Sequence, residues 1–435
     1  MKHRQTLTIG LVFMVALLVG CENHKNPTQA IFIQDDEPYS KREQDRYPYA
    51  FAPTLRMDNF PAPSGVNMVT FGSATWNVWP YTGENFSGAP QDPINLIFIG
   101  DADPLDIRAA LLSLDGDRSA FGMPPIAPFN SVWDDAIGDV QTAYSENSGW
   151  TGSAIQLECG DHQQLRFHMR LFRAGDITIA NVHFEVLIPG TTTHQVLNWE
   201  LGEQFVIADF IRSGLLDPTT PMVPVAGFND SPFRKIPSVI YNGLPVELRS
   251  LIGGPISDVT EDVPIVTDGN AMILNLAGTA PRIAETRTQS FIIEFNQAVP
   301  KPFCADGPLD FLYVTGPVSF EQVSTLSEDG VYETHFSASA ELIAQPINPL
   351  TGEPTGDELS AVITEKHDSY LSSRKSSASS FKHQALLPSA ADGAGQFFES
   401  LTVNSNGPDS FDSKTRCGAG ASSSAGPAVK GGIGL

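Results

Sequence analysis

Basic residues are scarce in this chain. Only 26 of its 435 residues are Lys or Arg, against 50 Asp or Glu, for a formal net charge of −24. That balance excludes nucleic acid, and a purely electrostatic hold on an anionic membrane surface, because both need clustered positive charge. Cysteine is scarcer still, with Cys21, Cys159, Cys304 and Cys417 at spacings unlike a metal knuckle. HExxH, GxSxG, a Walker loop, CxxC and a GxGxxG following a strand are all absent. Their absence removes the sequence warrant for the zinc protease, serine hydrolase, phosphate-loop, thiol-redox and dinucleotide-binding classes.

What is present begins with an address. Met1-Lys2-His3-Arg4 is a short basic opening, followed by an apolar run from Thr6 to Gly20. The run is shorter than the ~20 residues of a spanning helix and suits the core of a signal peptide. It ends at Leu18-Val19-Gly20-Cys21, and Glu22-Asn23-His24-Lys25-Asn26-Pro27 then turns polar. The tetrad resembles the lipobox of bacterial lipoproteins. The resemblance implies cleavage before Cys21 and lipidation of its thiol, so that the membrane is a partner through the lipid anchor. Acyl chains contribute ~0.8 kcal/mol per buried CH₂, enough for stable anchoring when two or three are present. Glu22 after the lipidated cysteine implies an outer-membrane location in a Gram-negative envelope. Removing residues 1–20 takes Lys2 and Arg4 and no acid, so the mature chain is more acidic still.

The rest divides by composition. Residues 21–63 mix charges, prolines and tyrosines without apolar periodicity, as a flexible tether does. All five tryptophans lie between Trp76 and Trp199, and "DPTTPMVPVAGFNDSPFRKIP" reads as a linker. The expected organisation is therefore an α+β domain over 64–225, a β-rich domain over 230–370, and a low-complexity disordered tail over 371–435. In the first domain "INLIFIG" predicts a buried strand, and Asp103-Pro104 the start of a helix. A second helix is expected over Trp133–Tyr144, and a third runs up to Gly214. The second domain alternates at the strand period, with "SEDG" (327–330) as a hairpin turn, and is expected to be an antiparallel sandwich or small barrel. A disulfide between Cys159 and Cys304 is the favoured pairing in an oxidising compartment.

The stretch richest in chemistry is "LRFHMRLFRAGDITIANVHFEVLI". Strand alternation puts Arg166, His168 and Arg170 on one face, and Asn181, His183 and Glu185 on the matching face of the returning strand. A two-residue Gly175-Asp176 turn sets His168 opposite His183, Arg166 opposite Glu185 and Arg170 opposite Asn181. Two imidazoles on one patch are metal-ligand candidates, and the whole set is a candidate catalytic patch for an anionic substrate. The plainer expectation is a solvated polar sheet face. Aspartate pairs at Asp101/Asp103 and Asp115/Asp117 lack the closing acid of a calcium loop. Trp76, Trp79 and Tyr81 fit a sugar-stacking platform, though core packing is the commoner use of such residues.

The order "DPINLIFIG", "FHMRLF", "VHFEVL" and "HQVLNWELGEQFVIADFIRSG" resembles the LssY-type C-terminal domain of bacterial envelope proteins over residues ~90–215. The matching positions are Arg170, His194, Glu200 and Glu203, with Gly202 and Gln204 departing from the pattern. The resemblance implies a fold and no activity. Two functions are carried forward. One is a membrane-anchored envelope lipoprotein that binds a ligand or an envelope protein partner without catalysis. The other is an envelope hydrolase, metal-assisted, working through Arg166, His168, Arg170, His183 and Glu185. No cofactor is named by the sequence.

Overall fold

The computed structural model describes residues 63–83, 90–121, 128–138, 141–229, 234–265, 267–300, 311–348, 350–372, 376–389, 393–404 and 411–417. The span expected as a signal peptide, Cys21, nearly all of the span expected as a tether, and Cys304 lie outside them.

Along the chain, β1 (Asn67–Phe71), β2 (Ala74–Val78), β3 (Tyr81–Gly83) and β4 (Pro90–Pro93) precede β5 (Leu96–Gly100), the strand expected from "INLIFIG". Next comes α1 (Pro104–Leu112), where the Asp103 side chain accepts from the Leu105 N–H and Pro104 fills the first turn. Then follow β6 (Trp133–Asp135), β7 (Thr142–Ser145), β8 (Gly149–Gly152), β9 (Ile155–Gly160), β10 (Leu165–Ala174), β11 (Ile177–Leu187), β12 (His194–Asn198) and α2 (Trp199–Ser213). α2 stops at Gly214, whose φ of 69° is a left-handed cap that favours glycine.

Residues 133–144, expected as a helix, form β6 and β7 instead. Tertiary partners override the local spacing. Trp133 pairs with Cys159 across β6 and β9, and its indole N–H donates to Asp209 at 2.7 Å.

β13 (Met222–Val225), β14 (Lys235–Ile236), α3 (Ser238–Gly243), α4 (Val246–Leu251), β15 (Val263–Pro264) and β16 (Ala271–Leu276) follow. The central eight-stranded sheet has the order β13-β16-β5-β11-β10-β9-β6, with β12 beside the far half of β11. β16 runs parallel to β5, pairing Ile273 with Ile97. The sheet therefore continues past residue 225, and the expected linker contains one of its strands. A Pro-rich segment can do this because, among the described residues, β13 pairs only with β16 and forms an edge of the sheet.

The last seven strands are β17 (Glu285–Pro300), β18 (Phe311–Leu326), β19 (Val331–Pro346), β20 (Leu359–Ser372), β21 (Ser376–Ser389), β22 (Gly393–Asn404) and β23 (Phe411–Cys417). They form one antiparallel meander in sequence order. The described chain is thus mostly β, with four helices and an antiparallel, sheet-rich second part. Among the described residues the second part is a single antiparallel meander. Within the span expected as a disordered tail, β21–β23 continue that meander by antiparallel ladders.

Three apolar layers result. Phe167, Met169, Leu171, Val182 and Phe184 pack against Phe205 and Phe210 of α2 on one face of the central sheet. Phe167 stacks on Phe205 with ring centroids 3.8 Å apart. On the other face, the small sheet of β1–β4, β7 and β8 covers one end through Val69, Trp76, Ile97, Ile179 and Ile273. The meander covers the opposite end through Phe295, Phe320, Phe336, Leu342 and Ile137. Its inner positions alternate buried and exposed along β18, β19 and β20, as a sheet with one packed face requires.

Candidate functional site

The β10–β11 hairpin has the register read from its sequence. His168 pairs with His183, Arg166 with Glu185 and Arg170 with Asn181, around the Gly175-Asp176 turn. Alternation fixes the faces, so Phe167, Met169, Val182 and Phe184 enter the α2 core while the polar set projects from the opposite face.

That polar face is not solvated. His168 is 0% exposed, His183 1%, Arg166 2% and Glu185 3%. The reason lies elsewhere in the chain, where the meander and the small sheet close over this face. The Gln322 amide of β18 donates to the Ala136 carbonyl at 2.8 Å, and the backbone N–H of Asn296 to the Gly190 carbonyl at 2.7 Å.

Within the cluster every charge has a counterpart. Arg166 Nε donates to Glu185 Oε1 at 2.6 Å, and its Nη1 reaches Glu158 Oε2 at 2.5 Å and the Ile137 carbonyl at 3.1 Å. His183 Nε2 lies 2.8 Å from Glu185 Oε2. His168 Nε2 lies 3.1 Å from Gln156 Oε1, whose amide nitrogen donates to the Gly138 carbonyl. His168 Nδ1 is 3.3 Å from Glu185 Oε1. A second knot lies at Asp92, which takes Arg234 at 3.0 Å, Gln141 at 3.2 Å, Asn181 at 3.3 Å and Arg170 at 3.8 Å.

Burial alone would raise the carboxyl of Glu185, but Arg166 and the surrounding histidines outweigh it and hold Glu185 well below the usual carboxylate range. Glu158 is lowered against the same burial by His162 and Arg166, and Asp92 by Arg234, His183 and Arg170. Burial and the positive charges of Arg170 and Arg166 push His168 well below its ordinary value. Burial and Arg166 take His194 down to about 3. The cluster thus sets carboxylates held in their charged form beside His168 and His194, whose charging is disfavoured. Among the described residues, His168, His183 and Glu185 bring ligand atoms within 4.8 Å of one another.

Sequence reasoning missed Glu158, His162, Asp92, Arg234 and Gln156. Glu158 had a local signal, since it alternates on β9 and pairs with His168. Asp92 and Arg234 had none, because their positions depend on the packing of distant segments. Of the positions singled out by the resemblance, His194 reaches the cluster by bonding the His162 carbonyl at 2.8 Å, and Arg170 faces Asp92. Glu200 and Glu203 stand on α2, behind the opposite face of the sheet. Gly202 is explained by packing. A Cβ there would meet the His183 Cα at 2.7 Å and the Val182 carbonyl carbon at 2.9 Å, so α2 can lie this close to β11 only with glycine. Gly202→Ala is expected to cost about 1–3 kcal/mol in urea unfolding, because backbone must shift to admit the methyl group.

The remaining candidates resolve into structure. Cys159 is a free, buried thiol whose Sγ lies 3.3 Å from the Ser131 carbonyl, which corrects the expected Cys159–Cys304 disulfide. Burial pushes that thiol up to about 12, so it is no nucleophile. Trp76 and Trp79 are buried, with Trp79 edge-on to Tyr81 and Trp150, so they offer no flat sugar platform. Asp103 caps α1, and Asp115 and Asp117 accept turn hydrogen bonds.

Comparison with protein-family models, with curated proteins and with solved structures finds no match for this chain.

Proposed function

We propose that the protein is a membrane-anchored envelope lipoprotein that works by binding an envelope partner or ligand, without catalysis. The anchor rests on the lipobox-like Leu18-Val19-Gly20-Cys21 after an apolar run. The observation that carries the non-catalytic reading is the sealing of the polar cluster. A cavity beside Gln156, lined also by Gly138, Gln322 and Tyr332 among others, measures about 10 Å³. That volume suits one water molecule and no organic substrate. In this reading the helix-backed central sheet is an α+β body and the meander is its cover. The hydrolase alternative keeps the same residues, but it needs substrate to reach a His168 ring with no exposed surface.

The anchor is tested by metabolic labelling with a palmitate analogue. Labelled wild type in the membrane fraction and an unlabelled, released Cys21→Ser variant are expected. A wild-type chain that takes up no label overturns the anchor. The non-catalytic reading is tested by complementing a deletion strain with His168→Gln. Full complementation by a folded variant is expected, whereas loss of function at unchanged melting temperature and abundance points to chemistry at the cluster.

A further inference from the structure

His168, His183 and Glu185 bring ligand atoms within 4.8 Å of one another inside the cluster. A purely structural Arg–Glu pair needs no imidazoles, yet two converge on Glu185 from neighbouring strands. His168 and His183 face each other edge-on with ring centroids 5.5 Å apart. Gln156 fixes the tautomer of the first. Its amide nitrogen is committed to the Gly138 carbonyl, so Oε1 is the group presented to His168 Nε2, which must carry the proton. His168 Nδ1 is then an acceptor, 3.3 Å from Arg166 Nη2, which donates to it, and 3.3 Å from a carboxylate oxygen. A second imidazole nitrogen, His183 Nε2, lies 2.8 Å from the other oxygen of the same carboxylate. On that ring Nδ1 is buried without a hydrogen-bond partner. An outer hydrogen bond that holds an imidazole's proton away from the site is the usual support of a metal-ligating histidine.

We propose that His168 Nδ1, His183 Nε2 and the Glu185 carboxylate bind one divalent transition-metal ion of the zinc class. Two imidazoles and one carboxylate make a borderline-soft donor set that selects Zn²⁺, Co²⁺ or Ni²⁺ over Mg²⁺ and Ca²⁺, which prefer all-oxygen shells. An ion at this position takes the place of the Arg166 bonds to His168 Nδ1 and Glu185 Oε1. The guanidinium is also bonded to Glu158 and to the Ile137 carbonyl, so its charge is shared with a second carboxylate. Three protein ligands leave one position of a tetrahedral shell for a water or a small anion. Binding releases the proton of His183 Nε2 or shifts it to Nδ1, the nitrogen without a partner.

Because the site is enclosed, the full chain is refolded from denaturant with Zn²⁺ or Co²⁺, then dialysed against Mg²⁺ and Ca²⁺. About one ion per chain is expected to remain, with a raised melting temperature relative to chain refolded in chelator. The Co²⁺ form is expected to show visible absorption of a nitrogen–oxygen shell and two paramagnetically shifted imidazole N–H resonances, which count the histidine ligands without any substitution. His183→Gln is expected to lower retention at least tenfold. Retention unchanged in a folded His183→Gln chain, fewer than two shifted imidazoles in the wild type, or no retained ion overturns the proposal. If the variant fails to fold, the resonance count in the wild type decides.

Discussion

Asp209→Ala is expected to lower the unfolding free energy by about 3–5 kcal/mol, the cost of leaving a buried charge without its partner. Asp209 is fully buried on α2. Arg118 clasps it with two bonds, Nε to Oδ1 at 2.9 Å and Nη2 to Oδ2 at 2.8 Å. The Trp133 indole donates to the same Oδ2 at 2.7 Å. The guanidinium lies over the Phe205 ring at 4.3 Å and also holds the Ser131 carbonyl at 2.6 Å. Truncation therefore strands a guanidinium in the aromatic core and leaves an indole N–H unpaired. Asp209→Asn, which keeps the shape and one acceptor, should fall between wild type and Ala. Urea unfolding at neutral pH checks both, and a loss below 1 kcal/mol for Ala would show that Arg118 finds solvent by local opening.

The second large effect depends on pH and has the opposite sign. Glu203 is 7% exposed, and one of its carboxylate oxygens has no hydrogen-bond partner. Burial, with the nearby charges of Glu200 and Asp268, pushes its carboxyl up to about 9. The folded state thus keeps a proton that the unfolded chain releases near 4.5. Between those two values unfolding releases that proton, so this residue's contribution to stability falls as pH rises and levels off above about 9. At pH 8 the penalty is on the order of 3–5 kcal/mol, at 1.36 kcal/mol per pKa unit. Glu203→Gln mimics the protonated acid. It should match wild type in urea unfolding near pH 4.5 and exceed it increasingly toward pH 8. Parallel curves for the two proteins across that range would place a counter-charge beside Glu203.

How much of the candidate site could be read from the chain follows from the range of each interaction. The hairpin register was legible because a two-residue turn and strict alternation leave one pairing, and a slip by one residue would send every apolar side chain to the wrong face. The cap at Asp103 and the stop at Gly214 were legible for the same reason, since both are contacts within a few residues. The helix expected over 133–144 failed because its spacing fitted a local pattern, whereas Trp133 and Asp135 answer to Asp209 and Arg108. Cys159 shows the same limit, since spacing along the chain does not reveal that its thiol is buried and free.

By itself, then, the sequence determined the strand-rich character, the hairpin and its register, the helix termini and which residue types share each face. Only the tertiary structure decided that the polar face is enclosed. A strand carries the same alternation whether its outer face meets water or another sheet. Burial of His168, His183 and Glu185 depends instead on contacts remote in the chain, such as Gln322 with Ala136 and Arg234 with Asp92. The continuation of the central sheet to β16 is of the same kind. A parallel strand must return by a long crossover, and no local signal in residues 271–276 names β5 as its neighbour.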